Sequence, residues 1–161
     1  MVKGHKNRQL DNVIKSRAIA DDAITNAELG SLQEKTLLFE YDFAVAGGAA
    51  STITLTGKDN ASPSSIPDNA VITNVTIEGV TDNLNPATGA TIALGYTGET
   101  AAFLAATAFD NAMWDANAVT SGGPVVAKGK TTSEVAVTAT IATSALTAGK
   151  WYVWVTYFEG A

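Results

Sequence analysis

From Thr36 onward the chain alternates apolar and polar residues with a period of two. Successive side chains of a strand point to opposite faces, so this period marks half-buried β-strands rather than helices. In TLLFEYDFAV, Phe39, Tyr41, Phe43 and Val45 take one face, and Leu38, Glu40, Asp42 and Ala44 the other. This predicts a first strand over 36–45, broken by Gly47-Gly48. STITLT gives a second strand through Ile53 and Leu55, followed by the turn-rich GKDNASPSSIPDN. AVITNVTIEGV predicts a third, with Val71, Thr73, Val75 and Ile77 on one face. TDNLNPATG then reads as a loop and ATIALGY as a fourth strand. Residues 97–122 are less regular. Ala101, Phe103, Leu104, Ala108, Phe109, Met113 and Trp114 suit a short helix or irregular excursion near 100–116. Pro124-Val125-Val126 starts a short strand, and TSEVAVTATIAT sets Val135, Val137, Ala139 and Ile141 on one face. After a TAGK turn, KWYVWVTYFEG opposes Trp151, Val153, Val155 and Tyr157 to Tyr152, Trp154, Thr156 and Phe158.

That last strand is apolar or aromatic on both faces, which places it in the middle of a sheet between two layers. In a small all-β protein the second layer can come from another subunit, so Trp151, Trp154 and Phe158 are candidates for a subunit interface. The regular turn signals delimit seven or eight strands. The fold class expected is all-β, an antiparallel β-sandwich over 36–161. It is jelly-roll-like in preference to immunoglobulin-like, because the Cys–Trp–Cys pattern is absent.

Residues 1–35 do not follow this pattern. Ile14, Ile19, Ile24 and Leu29 recur every five residues, a period that neither a helix nor a strand uses. Thr25-Asn26-Ala27-Glu28 matches a capping box and Gly30 a stop, allowing a helical turn near 25–29, with another around 10–17. Neither is long enough to be stable alone. The segment reads as an extended, partly helical N-terminal arm that a partner surface must order. Within its first 17 residues five bases, among them Lys3, Lys6 and Arg8, face only Asp11, a balance of +4. Residues 36–161 carry −7. A basic arm on an acidic body meets an acidic surface or nucleic acid. The arm lacks interleaved aromatic residues and the body is acidic, so the reading is no nucleic acid.

Composition narrows the classes further. Charged residues make up 16%, below the usual value of about 25%. Alanine, threonine and glycine replace them, a surface that suits burial against partners. There is no cysteine, which removes disulfides, thiolate zinc sites and a cysteine nucleophile. No apolar signal region and no run of about 18 apolar residues occurs, so the reading is no membrane and synthesis in the cytoplasm.

Catalysis finds little support. His5, the only histidine, lies in the arm, away from any serine–aspartate pair of the body. No metal-ligand spacing exists. Glu40 and Asp42 share a strand face roughly 6–7 Å apart, a separation inverting glycosidases use, but a solvated outer face explains them better. GYTGET lacks the ending of a phosphate loop, and Gly95 and Gly98 read as a turn. Asp59, Asp68 and Asp82 sit in three loops without EF-hand spacing. Asn60 and Asn74 head glycosylation sequons without a secretory signal. Trp114, in the irregular excursion, is the candidate glycan contact. The expectation is therefore not an enzyme, with no cofactor and no metal.

The arm also carries a resemblance. VIKSRAIADDAITNAEL, 17 residues, resembles a motif of bacteriophage tail and head fibres, Ile-x-Asp-x-x-Ile-Thr-x-x-x-Leu. Ile19, Asp21, Ile24, Thr25 and Leu29 match it, while Glu28 stands where many copies have Lys. The Ala-, Thr- and Gly-rich body behind such an arm resembles phage capsid decoration (cement) proteins and head-fibre bases. The resemblance implies a virion protein of bacteriophage. Its β body would form a homotrimer on the major capsid protein, and its arm, through Lys3, Lys6, Arg8, Ile14, Ile19, Ile24 and Leu29, would contact neighbouring subunits. The alternative is a tail-fibre adaptor or a carbohydrate-binding receptor module using Trp114.

Overall fold

The computed structural model describes residues 33–58, 63–84, 89–122 and 129–160. The arm residues singled out above, Asp59, and the strand expected at 124–126 lie outside the described residues. The described chain forms nine strands: β1 (Lys35–Asp42), β2 (Thr52–Thr54), β3 (Thr56–Gly57), β4 (Ala70–Leu84), β5 (Thr91–Tyr96), β6 (Glu99–Ala108), β7 (Val119–Ser121), β8 (Val137–Ala142) and β9 (Ala148–Glu159). A one-turn helix, α1 (Phe43–Ala46), follows β1, and a 3-10 turn spans Ala112–Trp114.

The strands build two sheets, ordered β3-β1-β9-β4-β7 and β2-β8-β5-β6. Every strand pair within them is antiparallel. Inward residues of both sheets make one apolar cluster, among them Phe39, Tyr41, Ile77, Trp151 and Val153 from one sheet and Ile92, Leu94, Val137 and Ile141 from the other. The molecule is therefore an antiparallel β-sandwich. As expected, β9 is the central strand of the larger sheet: it pairs with β1 on one side and β4 on the other. Its odd-numbered residues from Trp151 to Tyr157 are buried, and so are Val135, Val137, Ala139 and Ile141.

Three sequence expectations change. The first strand stops at Asp42, whose carboxylate accepts the Ala44 N–H at 2.9 Å and caps α1. Beyond that cap strand alternation no longer applies, so Phe43 is only partly buried and Val45 is 81% exposed. In β4 the register shifts between Ile72 and Asn74. One extra residue turns the strand over, so Ile72 points inward before the bulge, Val75 and Ile77 after it, and Val71 is outside. The strand then continues through the expected loop to Leu84. The first part of the excursion at 97–122 is the strand β6. Its period is hidden because Ala supplies half of its positions and because Ala102, Phe103 and Leu104 are buried in succession where the register with β5 slips. Thr97-Gly98 makes the β5–β6 turn.

The sheet edges differ. β2, β3 and β7 are two or three residues long, whereas the edge strand β6 has ten, with neither proline nor lysine.

Candidate interaction face

The outer face of the five-stranded sheet follows from the register. Leu38 lies opposite Trp154, Trp154 opposite Thr76, and Thr76 opposite Ser121. The next row is Glu40, Tyr152, Glu78 and Val119. Phe158 stands opposite Val71. Three of the four most exposed large apolar side chains described, Val71, Val119 and Trp154, therefore share this face, while Val45 projects from α1. An apolar stripe on a sheet whose other side already packs a core is a candidate contact surface.

The polar groups between these residues are paired with one another. The Trp154 indole N–H donates to Glu78 Oε2 at 2.9 Å. Lys150 Nζ donates to Asp42 at 3.0 Å and to Glu40 at 3.2 Å. Lys58 Nζ stands 4.6 Å from the centre of the Tyr152 ring. Thr73 Oγ1 donates to Glu34 at 2.7 Å, and the Thr36 and Thr156 hydroxyls meet at 3.3 Å. Each of these polar groups keeps its protein partner when the face is covered, while the Lys150, Asp42, Glu40 and Glu78 charges still have to shed water.

The same ion cluster settles the carboxylate pair. An ammonium occupies the space between Glu40 and Asp42, where an inverting glycosidase would hold its water. The Lys150 hydrogen bond, and after it the Ala44 N–H, hold the Asp42 carboxyl below its usual range, and Asp42 holds the Lys150 ammonium protonated to higher pH than usual. Burial, with Asp42 adding to it, pushes the Tyr41 hydroxyl up to about 12. The unfolded chain releases the Tyr41 and Lys150 protons near their ordinary values of 10.0 and 10.5, while the folded chain retains both. Folding stability accordingly falls as pH rises above 10. We expect the melting temperature to decline steadily above that pH, and the decline to shrink in Tyr41→Phe. An alkaline limb unchanged in Tyr41→Phe would show that Tyr41 does not carry it. On the acid side, the contribution of Asp42 is present above the ordinary 3.8 and is lost as pH falls through its lower folded value.

Two tryptophan assignments are corrected. Trp114 is 1% exposed, its indole N–H is bonded to the Ala108 carbonyl at 3.1 Å, and its ring lies 5.3 Å from Trp151. It has no face to offer a sugar. Trp151 is fully buried and stacks on Tyr41 at 4.7 Å, so it belongs to the chain's own core rather than to a subunit interface. Trp154 and the half-buried Phe158 lie on the outer face. Sequence reading missed Val71, Val119 and Glu78 as members of that face. The β4 bulge hid Val71, and no local period surrounds Val119.

The remaining loop candidates have structural partners. Asp82 accepts the Ala116 N–H at 2.6 Å and Asp68 the Asn69 N–H at 2.8 Å. Among the described residues no group of three or more His, Cys, Asp or Glu could hold a metal ion, and no helix is long and apolar enough to cross a membrane.

No family model matches the sequence, and no curated protein does. Solved structures do share the fold, and they come from bacteriophage capsids. A chain of the cyanophage Pam1 capsid asymmetric unit superimposes with a TM-score of 0.56, covering 78% of this chain and 84% of that one at 20% identity. A chain of the acidic stable capsid of Helicobacter pylori bacteriophage KHP30 gives 0.53, with 80% and 89% covered at 19% identity. A chain of the capsid of Ralstonia phage GP4 gives 0.56, with 81% and 86% covered at 16% identity. The fold class is thus an antiparallel β-sandwich that bacteriophage capsids contain.

Proposed function

We propose that the chain is a structural virion protein of a bacteriophage that binds the capsid surface as a decoration or cement protein, with the major capsid protein as its partner. The observation that carries this is the fold shared, over about four-fifths of the chain, with chains of three phage capsids. The apolar outer face around Trp154 supports it, because a lattice protein needs a surface to bury. The strand order supports a jelly roll. One sheet runs β1-β9-β4-β7, with β3 appended, and the other β2-β8-β5-β6, as two interleaved Greek keys of eight strands require. On this reading three copies associate into a trimer. The arm, residues 1–35, anchors them to neighbouring subunits through its basic start and its five-residue apolar repeat. Many identical weak contacts on one lattice then add to a stable attachment.

The test is quantitative mass spectrometry of purified particles. Abundance comparable to that of the major coat protein is the expected result. A trace level would move the chain to a tail or vertex fibre, and absence would remove the virion reading. Deleting residues 1–33 is expected to abolish attachment while leaving the circular dichroism and melting temperature of the β body unchanged. Attachment retained by the truncated chain would overturn the arm's role.

A further inference from the structure

We infer that a cavity beside the end of β9 is a socket for the guanidinium of an arginine residue on a partner protein. The cavity has a volume of about 350 Å³ and lies between the segment before β4, the segment before β8 and the last residues of β9. The first two segments are tied together by backbone. The Ile66 N–H donates to the Val135 carbonyl at 2.8 Å, and the Val135 N–H to the Ile66 carbonyl at 3.0 Å. Pro63 and Pro67 line the cavity, and their fixed φ stiffens that wall. Charge is the first argument. Asp68, Glu134 and Glu159 all open onto the cavity. Lys35 neutralises Glu159 at 2.5 Å. Glu134 accepts the Ser65 hydroxyl, and Asp68 accepts the backbone and side-chain N–H groups of Asn69 at 2.8 and 3.1 Å. Neither of these two carboxylates has a cationic partner among the described residues, so their negative charges stay uncompensated.

The second argument is Tyr157. It is 5% exposed, belongs to the core cluster and lines the same cavity. Its hydroxyl makes no hydrogen bond to any described residue. A phenol buried this deeply ordinarily has a partner, and here a ligand supplies it. The acceptor set selects the ligand. Among the described residues no group of three or more His, Cys, Asp or Glu could hold a metal ion. A guanidinium is planar, presents five N–H donors and is more weakly hydrated than an ammonium, which suits acceptors spread over a partly apolar wall. On this assignment its fork faces Asp68 and Glu134, the Tyr157 oxygen accepts one further N–H, and the two prolines flank the aliphatic stem. The cavity lies at the small end of ligand pockets, which favours one side chain over an oligosaccharide. Arg8 and Arg17 are the only arginines of the chain, so the β body holds none to fill the socket itself.

The experiment is a nuclear magnetic resonance titration of the full-length chain with N-acetyl-L-argininamide. Its uncharged isostere, N-acetyl-L-citrullinamide, and methylguanidine serve as references. The expected result is saturable shifts of the Ser65, Asp68 and Glu134 amides, with the arginine probe binding roughly tenfold tighter than either reference. Asp68→Asn combined with Glu134→Gln should weaken it by a similar factor. Tyr157→Phe should weaken it severalfold with the melting temperature unchanged, because the hydroxyl it removes has no protein partner to lose. Equal binding of the citrulline analogue would overturn the assignment, since charge would then not be read. Equal binding of methylguanidine would exclude a whole arginine residue as the ligand. An affinity unmoved by Tyr157→Phe would put the probe on the outer carboxylates rather than in the cavity. A gain in affinity on replacing Arg8 and Arg17 with Gln would show that the chain's own arginines compete for the socket, and would overturn the partner assignment. The titration uses no particle, so its failure leaves the capsid proposal standing, and absence of the chain from particles leaves this one standing.

Discussion

Trp151→Ala is expected to lower the melting temperature by on the order of 10 °C. Truncating a buried Trp removes about 3–5 kcal/mol, and each kcal/mol is worth roughly 2–4 °C in a chain of this size. Trp151 lies at the upper end, because it holds two other aromatic rings. Tyr41 stacks on it at 4.7 Å with planes 17° apart, and Trp114 meets it at 5.3 Å and 49°. The Tyr41 hydroxyl in turn donates to the Gly47 carbonyl at 2.9 Å, which ties α1 to the core. Removing the central indole therefore loosens β1, β9 and the 3-10 turn together. Trp151→Phe should cost much less. Its ring retains most of the contact, and it removes an indole N–H that has no partner among the described residues. Thermal unfolding followed by near-ultraviolet circular dichroism reads both variants. Equal losses for Ala and Phe would mean that shape at this site matters more than buried area.

Gly95→Ala carries the second large effect, expected to reach or exceed the 1–3 kcal/mol typical of an overpacked site. A Cβ there would stand 2.0 Å from the Glu99 carbonyl oxygen, 2.6 Å from the Thr100 carbonyl carbon and 2.8 Å from the Ala102 nitrogen. All three are backbone atoms, which cannot swing aside as a side-chain tip can. The strand β6 would have to lift from β5. Gly98, three residues on, is a useful contrast. Its φ of +96° favours glycine, but a Cβ there meets nothing within 4 Å. Gly98→Ala should therefore lose only about 1 kcal/mol of backbone strain. Denaturant unfolding of the two variants measures the difference, and equal losses would show that crowding at Gly95 relaxes without opening the hairpin.

Much of the sandwich was legible because strand alternation survives wherever large apolar residues mark it. β8 and β9 are the clearest, with Val137, Ala139 and Ile141 and then Trp151 to Tyr157 facing inward as the period requires. Legibility failed where a local device interrupts the period. The Asp42 cap ends β1 two residues early for the inward set, the bulge after Ile72 inverts Val71, and alanine hides the faces of β6. On the outer face of the larger sheet, Trp154 and Phe158 were readable as non-core apolar positions of a strand apolar on both sides. The assignment of Trp151 to the same role failed because that rule does not say which face the chain covers itself. Trp114 failed for a related reason: an aromatic residue in an irregular segment looks exposed until its ring is found buried in the core against Trp151.

The long edge strand β6 gives the Gly95 site a further meaning. Three of the four sheet edges are too short to recruit another strand, but β6 is not. Its hold on β5 passes through two register slips and the backbone crowding at Gly95. While that hold is intact, the irregular register of the strand makes it a poor template. A variant that frees it presents ten uncharged or singly charged residues with neither proline nor lysine to block pairing. The failure of such a variant during expression would then be fibrous or insoluble material that grows from one side of the molecule, rather than a soluble unfolded chain.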